Sequence, residues 1–269
     1  MMPAPKLDPQ PAKLAGTRPE GARDERESAA RVQQMFGHIA PRYDFLNHLL
    51  SFSLDHVWRW RAAKRCLPIL RRPGARVLDI CCGTGDLAFA LDRARRSALA
   101  PADAARRSPI IGSDFVEGML SRAQAKAAAK AGSAVTFAAA DALNLPFPDA
   151  AFDLVTTAFG FRNLANYESG LREIARVLQP GGKVAILEFS EPTSGPLAAI
   201  FRFYFRHVLP RIGGAISGNS EAYAYLPGSV AKFPGPRELA ALIEKTGFAD
   251  VRIASWNFGS VILHTAYRQ

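Results

Sequence analysis

Apolar and polar positions along the chain fall into two rhythms that take turns. Short apolar runs near Arg76–Ile80, Pro109–Asp114, Val135–Ala138, Phe152–Ala158 and Lys183–Phe189, each bounded by turn residues, are predicted strands. Between and after them, amphipathic stretches near Asp86–Arg96, Val116–Ala131, Tyr167–Leu178 and Arg237–Lys245 are predicted helices. Repeated β-α-β order implies an α/β fold, a parallel sheet with helices on both faces. After the last helix, Val251–Asn257 and Val261–Arg268 flank "FGS" and read as a hairpin, which adds an antiparallel pair.

Three stretches fall outside these rhythms. Residues 1–28 are rich in Pro, Gly and charge and lack aromatics, so they are expected to form a disordered leader ahead of a single domain, 29–269. That domain begins with a helical N-terminal segment and carries a lid or substrate insertion near 192–235. The loop "SALAPADAARRSP", Ser97 to Pro109, is expected to be a mobile surface insertion. The leader lacks the apolar core of a secretory signal, and no run of 18 apolar residues exists for a transmembrane helix, so a cytoplasmic protein is expected.

Charge changes the picture through its location. The net charge is +10, yet the leader carries five basic and five acidic residues and contributes nothing to it. His56 to Arg76 holds seven basic residues and no acid, and Pro192 to Gly218 holds three and no acid. Such patches suit an anionic partner, a nucleic acid or a membrane surface, or are plain solvated faces. Cys66, Cys81 and Cys82 have neither a disulfide framework nor zinc-ligand spacing, so they read as small buried thiols, and no metal site is expected.

The stretch that carries chemistry is "VLDICCGTGDLA", Val77 to Ala88. Gly83 and Gly85 let the backbone turn sharply and approach a ligand after the first strand, the usual ligand position in such sheets. "GTGDLA" also satisfies a dinucleotide fingerprint, so the neighbouring acids decide. Asp79 suits a ligand ammonium and would repel a pyrophosphate. Asp114, closing the second strand, suits a ribose diol. Asp141, after the third, suits an adenine amino group while the Ala142 N–H donates to the ring. Each acid alone has a plainer reading: Asp114 as a helix cap, Asp141 as a turn former. Together, three acids at three successive strand ends describe a cationic, adenosine-bearing ligand, S-adenosylmethionine.

At these residues the chain resembles class I S-adenosylmethionine-dependent methyltransferases, with Cys81 where many members carry a glycine. Leu145 to Pro192, "FGHIAPRYDFLNHLLSFSLDHVWR" from Phe36 to Arg59, and "YAYLPGSVAKFPGPREL" from Tyr223 to Leu239 resemble more specifically the ubiquinone/menaquinone C-methyltransferase family, UbiE or MenG. The resemblance implies a Rossmann-like sheet of seven strands, mostly parallel with the antiparallel C-terminal hairpin, and methyl transfer to a ring carbon of a polyprenyl hydroquinone such as demethylmenaquinol. It puts cofactor contacts at Thr84, Asp114, Asp141 and Ala142. A Ser that some members carry just before Phe-Gly is Ala158 here and supplies no hydroxyl. Arg162 and Asn163, just beyond the fourth strand, are candidates to stabilise a phenolate and orient a quinol oxygen. Tyr43 and Tyr225 are candidates to face the substrate. "LAAIFRFYFRHVLPRIG", Leu197 to Gly213, is expected to lie in a membrane interface or to form a lid. The implied partners are the polyprenyl quinol and, peripherally, the inner face of the cell membrane, with no nucleic acid; a homodimer is compatible with the sequence. The competing readings are an RNA methyltransferase, which the basic charge favours and the lack of an RNA-binding module disfavours, and a non-catalytic cofactor-binding subunit.

Overall fold

Alternation sends the side chains of the central strands into two separate cores. On β1 (Val77–Ile80) every residue is buried, Val77 on one face and Leu78 and Ile80 on the other. Both faces must therefore be covered, as a parallel sheet requires. Helices α3 (Leu54–Arg65), α4 (Leu67–Leu70) and α5 (Asp86–Ala98) cover the first core; α8 (Tyr167–Val177) and α10 (Pro236–Lys245) cover the second. The computed structural model describes residues 16–19, 21–104, 107–192, 199, 203–208, 211 and 220–269.

Strands β2 (Ile110–Asp114), β3 (Val135–Ala139), β4 (Phe152–Ala158) and β5 (Leu178–Phe189) run parallel to β1. Strand β7 (Val261–Arg268) lies antiparallel between β5 and β6 (Phe248–Trp256), as the hairpin reading requires. The spatial order is β3-β2-β1-β4-β5-β7-β6. Direction of winding reverses between β1 and β4, so a crevice opens beyond their carboxyl ends. Strand β5 begins five residues before the expected Lys183 because Leu178 already pairs with Phe152; Gln179–Gly182 then bulges out before Lys183 pairs with Leu154.

Two expectations change, and two further stretches gain detail. Residues 16–19 and 21–28 are ordered, not part of a disordered leader: Asp24 caps α1 (Glu25–Ile39) by accepting the Glu27 N–H at 2.8 Å, and Ser28 is fully buried. Thr17, also buried, donates its N–H to the Leu164 carbonyl at 2.8 Å. Residues 1–15 lie outside the described residues. In the expected surface loop, α6 (Pro101–Ala104) forms, and the loop is anchored by buried Arg95, which donates to Ser108 O at 2.6 Å and Ala75 O at 2.9 Å. Arg59 of the basic segment is buried in an ion pair with Asp55, while Arg72 and Arg76 both pair with Asp153, so these three are not free surface charges. The stretch Leu197 to Gly213 lies mostly outside the described residues; within it, Tyr204–Val208 forms a π-helical turn whose Tyr204 hydroxyl donates to Leu50 O at 2.8 Å. Among the described residues, no helix is long and apolar enough to cross a membrane.

Candidate active site

The turn after β1 is held open by backbone conformations that side chains seldom adopt. Gly83 and Gly85 have φ of 55° and 88°, and a Cβ on Gly85 would stand 2.8 Å from the Phe137 ring. Cys81, the departure from the family's glycine, also takes a positive φ, 50°, so it bears the strain a glycine would avoid. Burial pushes the Cys81 and Cys82 thiols well above their ordinary range and that of Cys66 up to about 12, in keeping with inert thiols.

The three expected acids line this turn, but in different states. Asp114 is buried and accepts the Gly83 N–H at 2.8 Å on one oxygen and the Val116 N–H at 2.9 Å on the other. It therefore closes a turn into Val116, the N-cap residue of α7 (Glu117–Ala129), and fixes the glycine turn while still facing the cleft; no side chain caps α7 itself, so Asp114 braces two turns rather than capping the helix. Burial raises its pKa against those two N–H bonds. Asp141 is exposed at the rim, where one oxygen accepts the Leu143 N–H at 2.9 Å, and Ala142 beside it is buried. Asp79 is fully buried; Thr156 donates to its Oδ1 at 2.7 Å, and Oδ2 has no partner among the described residues. Burial pushes its pKa up to about 7. An unpartnered carboxylate oxygen inside a glycine cradle is what an incoming ammonium would satisfy.

Aromatics and Arg59 form a second wall beside the acids. The cleft, of about 700 Å³, is lined by Asp114, Asp141, Ala142, Gly83, Tyr43 and Asn163, with Val32 and Phe36 of α1 as its roof. A second lobe, sharing Tyr43, Cys81 and Gly83, reaches down to Asp79, Thr84 and Arg59. Tyr43, the first residue of α2 (Tyr43–Leu50), thus stands at the junction of both lobes. Burial raises its pKa despite the attraction of nearby Arg162 and Arg59, so its hydroxyl keeps its proton and acts as a donor. Asn163 Oδ1 accepts from the Tyr225 hydroxyl at 3.2 Å, and that hydroxyl also meets Thr17 Oγ1 at 2.8 Å. Tyr225 belongs to α9 (Ser220–Lys232).

Arg162 differs from its expected setting. It is buried behind Phe159, to whose carbonyl it donates, and its Nη1 meets Glu188 Oε2 at 3.0 Å while its own N–H meets Oε1 at 3.0 Å. Burial works against its charge, but the Glu188 carboxylate outweighs that and holds it protonated. It can act on the cleft by its field, not by lying open to it. Thr84 differs as well: its hydroxyl donates to Asp44 and accepts from Lys126 Nζ at 2.9 Å, so it is engaged by protein groups. Lys126 also reaches Asp44 at 2.7 Å and Asp86 at 2.9 Å, strapping α2 to the glycine turn.

Arg59 is the site residue that sequence reasoning missed. Its guanidinium sits 5.3 Å from the Phe159 ring centroid and lines the lower lobe. The Asp55–Arg59 spacing of four on one helix was the available signal.

The profile of the ubiE/COQ5 methyltransferase family matches residues 23–268. The chain belongs to that family. Among its relatives, the demethylmenaquinone methyltransferase of Deinococcus radiodurans is 49% identical over 88% of this chain and 92% of that protein. The Thermus thermophilus enzyme of the same name is 47% identical, over 87% of this chain and 100% of that protein. The ubiquinone/menaquinone biosynthesis C-methyltransferase UbiE of Geobacter sulfurreducens is 44% identical over 89% of each. Solved structures share the fold: a SAM-dependent methyltransferase of Thermotoga maritima superposes with a TM-score of 0.55 at 18% identity, covering 87% of this chain and 100% of that one. For this ubiE/COQ5 chain the class I sheet and its acids at successive strand ends are thus parts of one architecture.

Proposed function

We propose that this chain transfers the methyl group of S-adenosylmethionine to a ring carbon of a demethylated polyprenyl hydroquinone, completing menaquinol. The observation that carries the reading is the unpartnered Asp79 carboxylate beneath a glycine turn flanked by Asp114 and Asp141, in a chain of the ubiE/COQ5 family. Relatives at 49% and 47% identity are named for demethylmenaquinone, which favours the menaquinone over the ubiquinone branch.

Asp79 would pair with the ammonium, Asp114 with the ribose, and Asp141 with the Ala142 N–H would hold the adenine. So held, S-adenosylmethionine supplies a methyl carried on a sulfonium. The remaining chemistry belongs to the chain. A hydroquinone carbon becomes nucleophilic as its neighbouring hydroxyl gives a proton to solvent, so negative charge grows on that oxygen; as the new C–CH3 bond forms the sulfonium S–CH3 bond breaks to leave a neutral thioether, and the ring C–H proton then leaves to solvent to restore the aromatic ring. Tyr43, which keeps its own proton, donates to the oxygen, and Asn163, oriented by Tyr225, holds the ring in line. Arg59 and Arg162, each paired with a carboxylate, supply preorganised ion-pair dipoles in a dry wall, where they cost no reorganisation. The polyprenyl tail is bilayer-soluble, so the reading includes peripheral contact with the cytoplasmic face of the membrane.

Mass spectrometry of quinones from cells lacking the gene tests the assignment. Demethylmenaquinone should accumulate and return to menaquinone on complementation. An unchanged quinone profile would refute the reading.

A further inference from the structure

Large apolar side chains left exposed are not scattered over this protein. Phe45, Leu49 and Phe52 project from α2 and the turn after it, and Leu54, Val57 and Trp60 form a stripe along α3 at spacings of three. Phe52 is 75% exposed and Trp60 52%. Phe203, also exposed, joins the same corner, because its neighbour Tyr204 packs on Phe52 with ring centroids 6.0 Å apart and bonds Leu50. Exposed Phe258 rides on the β6–β7 turn, which Trp58 ties to α3 through Asn257 at 2.8 Å. Of the exposed large hydrophobics among the described residues, Ile253 alone lies elsewhere on β6. A patch of this kind marks an interaction surface.

The charge around the corner selects the partner. Arg61, Lys64 and Arg65 in the last turns of α3, and Arg71 beyond it, are exposed, and Lys64 Nζ lies 5.4 Å from the Trp60 ring centroid. The acids of α2 and α3 offer no counter-charge: Asp44 is bound by Lys126, and buried Asp55 by Arg59 and His48. Aromatic and aliphatic side chains rimmed by cations match the interface of an anionic bilayer, where rings lie at headgroup depth and cations meet phosphates. The corner also adjoins the cleft, since α2 begins at Tyr43.

We infer that the α2–α3 corner, with Phe203 beside it, is a bilayer-docking face that sets the mouth of the cleft against an anionic membrane. The inference deepens the hydroquinone reading and rests on it for its purpose, while membrane binding itself is measured without any substrate. Full-length protein is sedimented with vesicles of phosphatidylcholine alone or mixed with phosphatidylglycerol, at low and high salt. Wild type should bind the anionic vesicles and lose binding as salt rises. Lys64→Glu with Arg65→Glu should weaken binding by about twentyfold or more, each cation near an anionic surface being worth roughly fivefold. Phe52→Ser with Trp60→Ser should weaken it by about tenfold or more at either salt, because partitioned aromatic area is lost. Both pairs are exposed, so both variants should keep the wild-type circular dichroism and wild-type methyl transfer to a water-soluble short-chain demethylmenaquinol. Variants that bind vesicles like wild type would overturn the inference. So would a wild-type dimer in analytical ultracentrifugation that Phe52→Ser with Trp60→Ser dissociates while leaving vesicle binding unchanged. Absence of methyl transfer in every protein, with vesicle binding still dependent on these residues, would refute the hydroquinone reading and uphold the docking face.

Discussion

Two of the cleft's acids, Asp114 and Asp141, are held by backbone N–H groups, whereas Asp79 and the cations are held chiefly by other side chains. Asp114 takes the N–H of Val116, two residues on, and that of Gly83, 31 residues back in the turn after β1, and Asp141 takes that of Leu143, two residues on. Arg59 and Arg162 depend instead on Asp55 and Glu188, and the second pair joins residues 26 apart in the chain. On the first wall the bonds to Val116 and Leu143 are therefore local, while the bond to Gly83 forms only when β1 and β2 pair. On the second, Arg59 finds Asp55 one turn earlier on α3, Arg162 finds Glu188 only once β5 and the loop after β4 have met, and both pairs are buried, so loss of one partner is felt by the whole fold.

The largest effect should come from breaking a pair on the cation wall. Arg162→Ala leaves Glu188 buried without its partner and should cost about 3–5 kcal/mol of stability in urea denaturation. Replacing both residues, Arg162→Met with Glu188→Met, should restore most of that stability, because neither charge is then stranded. Turnover should remain low in the double variant, which separates the field of Arg162 from its structural part; recovery of wild-type turnover would show that the field does nothing.

Asp79 gives the next effect, on the acid wall. Its folded pKa, about 7, lies above the ordinary carboxylate range, so the native state holds an extra proton between about pH 4 and 7. The stability that proton gives is complete below that window and lost as pH rises through 7. Ligand-free Asp79→Asn should therefore be more stable than wild type at pH 8, by on the order of 3 kcal/mol, and the difference should shrink towards pH 5. S-adenosylmethionine affinity should run the opposite way in wild type, rising through pH 7 as the carboxylate ionises. Wild-type stability that is flat from pH 5 to 8 would contradict this account of Asp79.

A smaller effect should follow from Asp114→Asn, which keeps the shape but faces an amide donor towards the Gly83 or Val116 N–H. Loss of a charged acceptor for the ribose should weaken S-adenosylmethionine binding by about 1.5–3 kcal/mol in calorimetry. Unchanged affinity would remove Asp114 from the ligand contacts and leave it a brace of the Gly83 and Val116 turns alone.

How much could be read in advance follows the same division. The strands, the hairpin and the acids near the strand ends were legible because period-2 burial and the glycine turn are local signals; the turn that Asp114 makes into Val116 follows from its place between β2 and α7, whereas its hold on Gly83 is a tertiary contact. Arg59 was misread as surface charge, since a run of basic residues looks solvated until Asp55 and Phe159 are seen around one member. Arg162 was placed near the methyl, but its pairing with Glu188 is a tertiary contact that the loop sequence does not encode. The ordering of residues 16–19 and 21–28 was missed because composition argues against a core of their own, whereas they fold onto one supplied by Leu164, Tyr225 and α1.

Methyl incorporation into a short-chain demethylmenaquinone, run anaerobically with and without a chemical reductant, tests the central claim most directly. Tyr43 and the cations are proposed to support negative charge growing on a quinol oxygen, while the acids hold the sulfonium donor, and only the reduced ring can develop that charge. The account predicts product with the reductant and essentially none without it. Equal rates in the two conditions would contradict it.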